Sequence, residues 1–196
     1  MKEMKGHLIL LMGPMGSGKG TLVKHVQEQF PELQFAVSGT TRNMRPGETD
    51  GVEYYFLTTD EFDEKVKNND FLEWAEFSGN KYGTLKSEIL EQLDKGKVVL
   101  NEIELQGVQQ LLPIVPEANR TLVYVESGQW ESLRDRALAR APISEEHLVL
   151  RHERYLEEIQ MKPYADVIIQ NENNKQEDAK QQMANVVQDV FSKVNK

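Results

Sequence analysis

Gly13-Pro14-Met15-Gly16-Ser17-Gly18-Lys19-Gly20-Thr21 is the stretch from which the rest of the chain takes its meaning. The run before it, His7-Leu8-Ile9-Leu10-Leu11-Met12, is almost wholly apolar and of strand length. The run after it, 21–30, carries helical spacing. A buried strand, a glycine-rich loop with lysine and a helix are the context in which such a loop binds phosphate. The glycines let consecutive backbone N–H groups converge on phosphate oxygens without side-chain clashes. The helix N-terminus adds a partial positive charge, and Lys19 adds a full one at the β- and γ-phosphates of a nucleoside triphosphate. Gly20 stands where the basic pattern has a Mg²⁺-binding Ser or Thr, and Thr21 follows it. A glycine-rich turn with no ligand is the plain alternative, and the flanking elements weigh against it.

A chain of 196 residues suits one domain with a small insertion and can bury a substantial core. Its net charge of −9 argues against sequence-independent nucleic-acid binding, which needs a basic surface. With no cysteine there is neither a disulfide nor a thiolate nucleophile. The N-terminus leads directly into the first strand, and Gly13 comes too soon for a membrane span. No signal peptide is recognisable, so a cytoplasmic protein without membrane attachment is expected.

Strands and helices then alternate. Strands are expected at 34–38, 97–103, 120–125 and 166–170, and helices at about 86–95, 106–112, 129–139, 144–161 and 176–194. In the last helix Ala179, Met183, Val186, Val187, Val190, Phe191 and Val194 form one apolar face, which is core packing. Repeated β–α alternation implies a parallel sheet covered by helices on both faces, with the active site at the carboxyl ends of its strands. The segment from about Thr40 to Thr84 breaks this rhythm. It reads as turns at 45–48 and 50–51, strands at 52–57 and 71–77 and a short helix at 60–68, hence a small inserted subdomain over a second substrate.

Within it, Arg42 and Arg45 lie three residues apart in a loop. Close arginines in an acidic protein suit a bound phosphate, whose oxygens match guanidinium forks. Pairing with Glu48, Asp50 or Glu53 at the surface explains them equally well, and spacing alone leaves both open. Ser38, Tyr54 and Tyr82 are available as hydroxyl donors.

Glu102 and Glu104 are expected at the end of the strand 97–103, on one face by the two-residue period. Buried carboxylates there need a cation or a donor, such as a hydrated Mg²⁺ or a substrate base. The four histidines lack metal-ligand spacing, so no protein-bound structural metal is expected.

Several motifs together are similar to the guanylate kinase family. The loop form Gly18-Lys19-Gly20-Thr21 is one seen in nucleoside-monophosphate kinases. Ser38-Gly39-Thr40-Thr41-Arg42 through Arg45-Pro46-Gly47-Glu48 to Tyr54-Tyr55-Phe56 resembles the family's GMP-binding signature. So does Phe71-Leu72-Glu73 through Gly79 to Tyr82-Gly83-Thr84. The match continues in order through Gly96-Lys97, Gln106-Gly107 and 134–151, and so covers essentially the whole chain. It implies a P-loop NTPase core of α/β class (about 1–38, 85–130 and 152–196), a mixed-β GMP-binding insertion (about 39–84) and a helical lid (about 131–151). Gly13, Gly16, Ser17, Gly18, Lys19, Gly20 and Thr21 would hold ATP, with Mg²⁺ bound through phosphates and water. Ser38, Arg42, Arg45, Tyr54 and Tyr82 would hold the GMP phosphate. Glu73 would accept from guanine, with Thr84 nearby, and Glu102 and Glu104 would contact substrate. Lys19, Arg136, Arg140 and Arg151 would neutralise the transferring phosphoryl group.

Three departures stand out. Glu102-Ile103-Glu104 replaces the family's Asp-Ile-Asp, lengthening each carboxylate by one methylene. Ala139-Arg140-Ala141 replaces a glycine-flanked arginine, which stiffens the lid. Gln170-Asn171 differs from the usual Asn-Asp and leaves the adenine contacts open. The expected activity is ATP-dependent phosphorylation of GMP, and also dGMP, by a monomer or homodimer. A kinase of another small phosphorylated acceptor and a catalytically weak binding module of the same fold are the rival readings.

Overall fold

The computed structural model describes residues 4–77, 79–140, 143–172 and 175–195, without the side chains of Phe77 and Arg140. Its residues group into two compact units. One comprises Met1–Leu8, Glu32–Asn101 and Gln106–Arg120, and the other Ile9–Pro31, Glu102–Leu105 and Thr121–Lys196.

Two sheets organise the chain. The first has five strands in the order β2-β7-β1-β8-β9. These are β1 (His7–Met12), β2 (Gln34–Phe35), β7 (Val98–Glu102), β8 (Arg120–Glu126) and β9 (Val167–Gln170). Every residue of β1 is buried, as its unbroken apolar run requires of a strand covered on both faces. The β2–β7 and β8–β9 pairings are parallel. The second sheet, in the order β4-β3-β6-β5, is mixed. It is built from β3 (Ser38–Thr40), β4 (Tyr55–Phe56), β5 (Phe71–Phe77) and β6 (Asn80–Leu85).

The expected strand over 34–38 is divided between the two sheets. Ala36 N donates to Leu100 O at 2.9 Å, but Val37 N turns away to the Glu88 carboxylate at 3.2 Å. Ser38 then begins β3. The strand β6 carries no hydrophobic alternation and was not expected; it is made by pairing on both sides. Gly83 lets its neighbours close in, since a Cβ there would sit 2.9 Å from Trp74 Cβ and 2.8 Å from Phe71 Cδ1.

The helices are α1 (Lys19–Gln29), α2 (Thr59–Lys67), α3 (Lys86–Asp94), α4 (Leu105–Leu111), α5 (Trp130–Arg140), α6 (Glu145–Glu158) and α7 (Gln176–Val194). Thr58 and Glu61 form a reciprocal capping box that starts α2. Ser144 caps α6 by accepting from His147 N at 3.3 Å. The expected helix over 144–161 ends its α portion at Glu158 and tightens to 3₁₀ over Ile159–Tyr164. Pro163 accounts for this, because it lacks an N–H and restricts the residue before it. In the second unit α7 packs on α1, with Phe191 and Phe30 stacked at 6.0 Å between centroids. Among the described residues no helix is long and apolar enough to cross a membrane.

Candidate functional site

The second unit carries the glycine loop. Gly13, Gly16 and Gly18 have φ of +148°, +83° and +89°. A side chain at Gly18 would be strained and would also collide with Asn171, whose Nδ2 would lie 2.3 Å from the new Cβ. Gly18 is the N-cap of α1 and supplies no side-chain cap, and the first turn holds no acidic residue. The positive end of the helix is therefore left for an external anion. Lys19 curls back over the loop, its Nζ donating to Gly13 O at 2.7 Å and Pro14 O at 3.4 Å. The buried Ser17 Oγ has no hydrogen-bond partner among the described residues.

Cations surround this loop. Arg136 of α5 makes long contacts to Gly16 O (3.5 Å) and Asn171 O (3.4 Å). Arg151 of α6 contacts the Met15 sulfur. Arg140 closes α5 in its backbone, but its side chain lies outside the described residues, as do Ala141 and Pro142. A cavity of about 230 Å³ is lined by Ser127, Gly128, Ser132, Arg136 and Glu172.

The two glutamates part company. β7 ends at Glu102, and Glu104 lies beyond it in the link to α4, so the two-residue period no longer relates them. Glu102 stays 3.8 Å from Lys19 Nζ. Glu104 pairs instead with Arg154 of α6, which also donates through Nε to Glu158 Oε1 at 3.2 Å. Burial pushes the Glu158 carboxyl up, while Lys19 and Arg154 pull it back.

In the first unit the register collects the other candidates on one face of the mixed sheet. Ser38 stands opposite Thr84 and Thr84 opposite Glu73; one step along, Thr40 stands opposite Tyr82. Glu73 is buried to 9 % exposure, and Thr84 Oγ1 donates to its Oε1 at 2.6 Å. Thr84 has one hydroxyl proton, so Ser38 must be the donor in the 3.5 Å contact between the two hydroxyls. Tyr54 meets Tyr82 edge-to-face at 6.1 Å, and Arg42 lies over the Tyr54 and Phe56 rings at 5.4 and 5.5 Å. The Arg42 fork grips both oxygens of Glu48 at 2.9 Å each, holding that carboxyl below its ordinary range. Glu48 also accepts from Arg45 N at 2.7 Å. The surface pairing left open by spacing is thus present for Arg42, and the same pairing shapes the loop that carries both arginines.

Sequence reasoning did not single out Arg154 or Glu158, and it marked Asn171 only as a departure from the family pattern. Asn171 Nδ2 donates to Ser17 O at 2.7 Å and so fixes the loop from the end of β9. Its buried neighbourhood was invisible in a polar stretch after a strand. Glu158 and Arg154 sit at i and i−4 on one helix, a pattern that usually marks a solvated face. Among the described residues no group of three or more acidic or histidine side chains is arranged to hold a metal ion.

Comparison with known proteins follows the same lines. The guanylate kinase family profile matches residues 5–190. A guanylate kinase of Nostoc sp. is 42 % identical over 170 residues, covering 87 % of this chain and 84 % of its own length. Another from Thermobifida fusca is 44 % identical over 164 residues, covering 84 % and 83 %. The crystal structure of guanylate kinase from Anaplasma phagocytophilum superposes with a TM-score of 0.73 at 24 % identity, covering 100 % of this chain and 90 % of that one. The last likeness concerns the fold alone.

Proposed function

This chain belongs to the guanylate kinase family, and from that premise we propose how its residues carry the family's reaction, ATP + GMP to ADP + GDP. The observation that carries the reading is the row Ser38–Thr84–Glu73, a buried carboxylate held ready by a chain of hydroxyls on the face that also bears Tyr82. Guanine offers N–H donors at N1 and N2, which a carboxylate accepts; adenine offers an acceptor at N1 and is refused.

Arg42 and Arg45 take the GMP phosphate, with Tyr54 and Tyr82 lending hydroxyls. Because Glu48 already orients the Arg42 fork, the guanidinium meets the phosphate in a fixed plane. Substituting Arg42→Lys keeps the charge and loses the fork, the stacking and the Glu48 grip. The expected result is a rise in KM for GMP of about 10- to 100-fold with a smaller change in kcat. Steady-state kinetics with GMP varied at saturating ATP reads it directly; an unchanged KM would remove Arg42 from the phosphate site.

The glycine loop and Lys19 hold the ATP phosphates, and the adenine takes the cavity beside Arg136. Mg²⁺ bound with ATP would be held through phosphates and water. Glu102, at the strand end and partly exposed, fits an outer contact to that water shell. When bound, the ion neutralises the β- and γ-phosphates. Lys19, Arg136, Arg140 and Arg151 supply the remaining positive charge as the γ-phosphoryl group passes in line to a GMP oxygen. That oxygen is already ionised at neutral pH, so no general base is required. The setting that fits these substrates is the cytoplasm.

A coupled ADP-release assay with ATP·Mg²⁺ and GMP, dGMP, AMP, CMP, UMP and IMP tests the reading. Turnover concentrated on GMP and dGMP is expected. Comparable turnover with AMP or a pyrimidine nucleotide would overturn the guanine assignment. Absence of turnover in protein that binds GMP would favour the binding-module reading.

A further inference from the structure

Arg154 is absent from every role assigned so far, yet its surroundings are unusual for a helix arginine. Its side chain is 21 % exposed and meets two carboxylates from different elements. Glu104 comes from the link between β7 and α4, and Glu158 from one turn further along α6. Glu158 is 8 % exposed in its side chain and lies in the field of Lys19. Arg151 precedes Arg154 by three residues, on the same side of α6, and reaches Met15 in the glycine loop. Arg154 therefore fastens the helix carrying Arg151 to the segment that follows Glu102.

We propose that Arg154 is a positioning residue for phosphoryl transfer: by clamping Glu104 and Glu158 together it fixes the register of α6, and so the place of Arg151 at the phosphate loop. This rests on the kinase reading above. Burying a guanidinium this far carries a desolvation penalty that a stray surface pair would not sustain. The two carboxylates offset that penalty, and the planar fork of arginine serves both at once. Glutamate at 104 belongs to the same design. The aspartate of the family pattern would withdraw its carboxylate from Arg154 by roughly one bond length. The longer side chain and Arg154 are a matched pair, which gives the departure at Glu104 a physical reason.

A double-mutant cycle tests this in the full chain, with wild type run first in the ADP-release assay. Arg154→Met keeps the apolar stem and removes the fork. It should lower kcat by about 10- to 100-fold, the scale of a displacement near 1 Å, with KM for GMP within about threefold. Glu104→Gln should lower kcat by a comparable factor, and the double variant should fall no further than Arg154→Met alone, since the two act as a unit. Arg154→Lys should recover part of the loss. Thermal melting of each variant separates unfolding from misplacement. If Arg154→Met leaves a buried carboxylate that prevents folding, Glu104→Gln and Arg154→Lys still decide the matter. Wild-type kcat in Arg154→Met would overturn the proposal. So would losses that multiply in the double variant, which would mean that Glu104 acts on substrate without Arg154. A wild-type protein silent with every acceptor would instead sink the kinase reading, and this inference with it.

Discussion

Lys19→Met should lower kcat by about 10³-fold or more while leaving the melting temperature nearly unchanged. The ammonium now donates to Gly13 O and Pro14 O and stands 3.8 Å from Glu102. The loop's other hydrogen bonds do not depend on it. Ser17 N to Pro14 O, Thr21 N to Gly18 O and Asn171 Nδ2 to Ser17 O persist without the charge. Methionine preserves the stem, so the loop keeps its form and loses its one internal full positive charge. In the reaction negative charge is shared among oxygens of the transferring group, and an ammonium aimed there stabilises the transition state more than the ground state. The loss should therefore fall mainly on kcat, with a smaller rise in KM for ATP. Lys19→Arg should recover little, because a planar fork cannot replace a compact ammonium lying along two carbonyls. The coupled assay and thermal melting together check this. A fall of less than tenfold would reduce Lys19 to a staple that closes the loop.

What made this half of the site legible in sequence was its locality. Loop, lysine and helix start are contiguous, and the glycines identify positions where φ must be positive. Long periodic elements were equally plain: α7 runs over Gln176–Val194 as its apolar stripe predicts. The mixed sheet was harder. Its strand β6 has no alternation, and only the register of three strands brings Ser38, Thr84 and Glu73 into one row. No local pattern encodes a row whose members are separated by 46 and 11 residues. The resemblance named these positions, whereas spacing left Arg42 undecided between phosphate and Glu48. The structure gives Arg42 the Glu48 pairing, which holds the plane of its guanidinium. Period two failed at Glu104 because the strand stops two residues earlier, and a pairing rule has no force beyond the ladder. Arg154 escaped notice, and Asn171 was marked only as a departure, for a related reason: each acts on a segment far away in sequence.

Glu73→Gln should cost about 10²- to 10³-fold in kcat/KM for GMP, and it should cost AMP far less, so that discrimination between the two collapses. The carboxylate has four lone-pair sites, one of which Thr84 occupies at 2.6 Å. The residue is 9 % exposed, and at such burial an acceptor left without a donor is expensive. Guanine brings N1–H and N2–H₂ as donors to the carboxylate. AMP brings N1 as an acceptor, so carboxylate and ring nitrogen repel. Glutamine keeps the volume and one acceptor oxygen, but exchanges the other for an NH₂ that opposes guanine's donors and can itself donate to adenine N1. Thr84 can still donate to the amide oxygen, so the fold should survive with a melting temperature close to that of wild type. IMP offers an internal control. It retains N1–H and lacks the N2 amine, so wild type should use it less well than GMP, and Glu73→Gln should narrow that gap. Competition kinetics with GMP, IMP and AMP at fixed ATP measures all three ratios in one preparation. If Glu73→Gln keeps the wild-type preference for GMP over AMP, the buried carboxylate serves the sheet alone and guanine is recognised elsewhere. If the preference is lost while kcat at saturating GMP remains within about tenfold, Glu73 acts as the specificity residue that its row with Thr84 and Ser38 indicates.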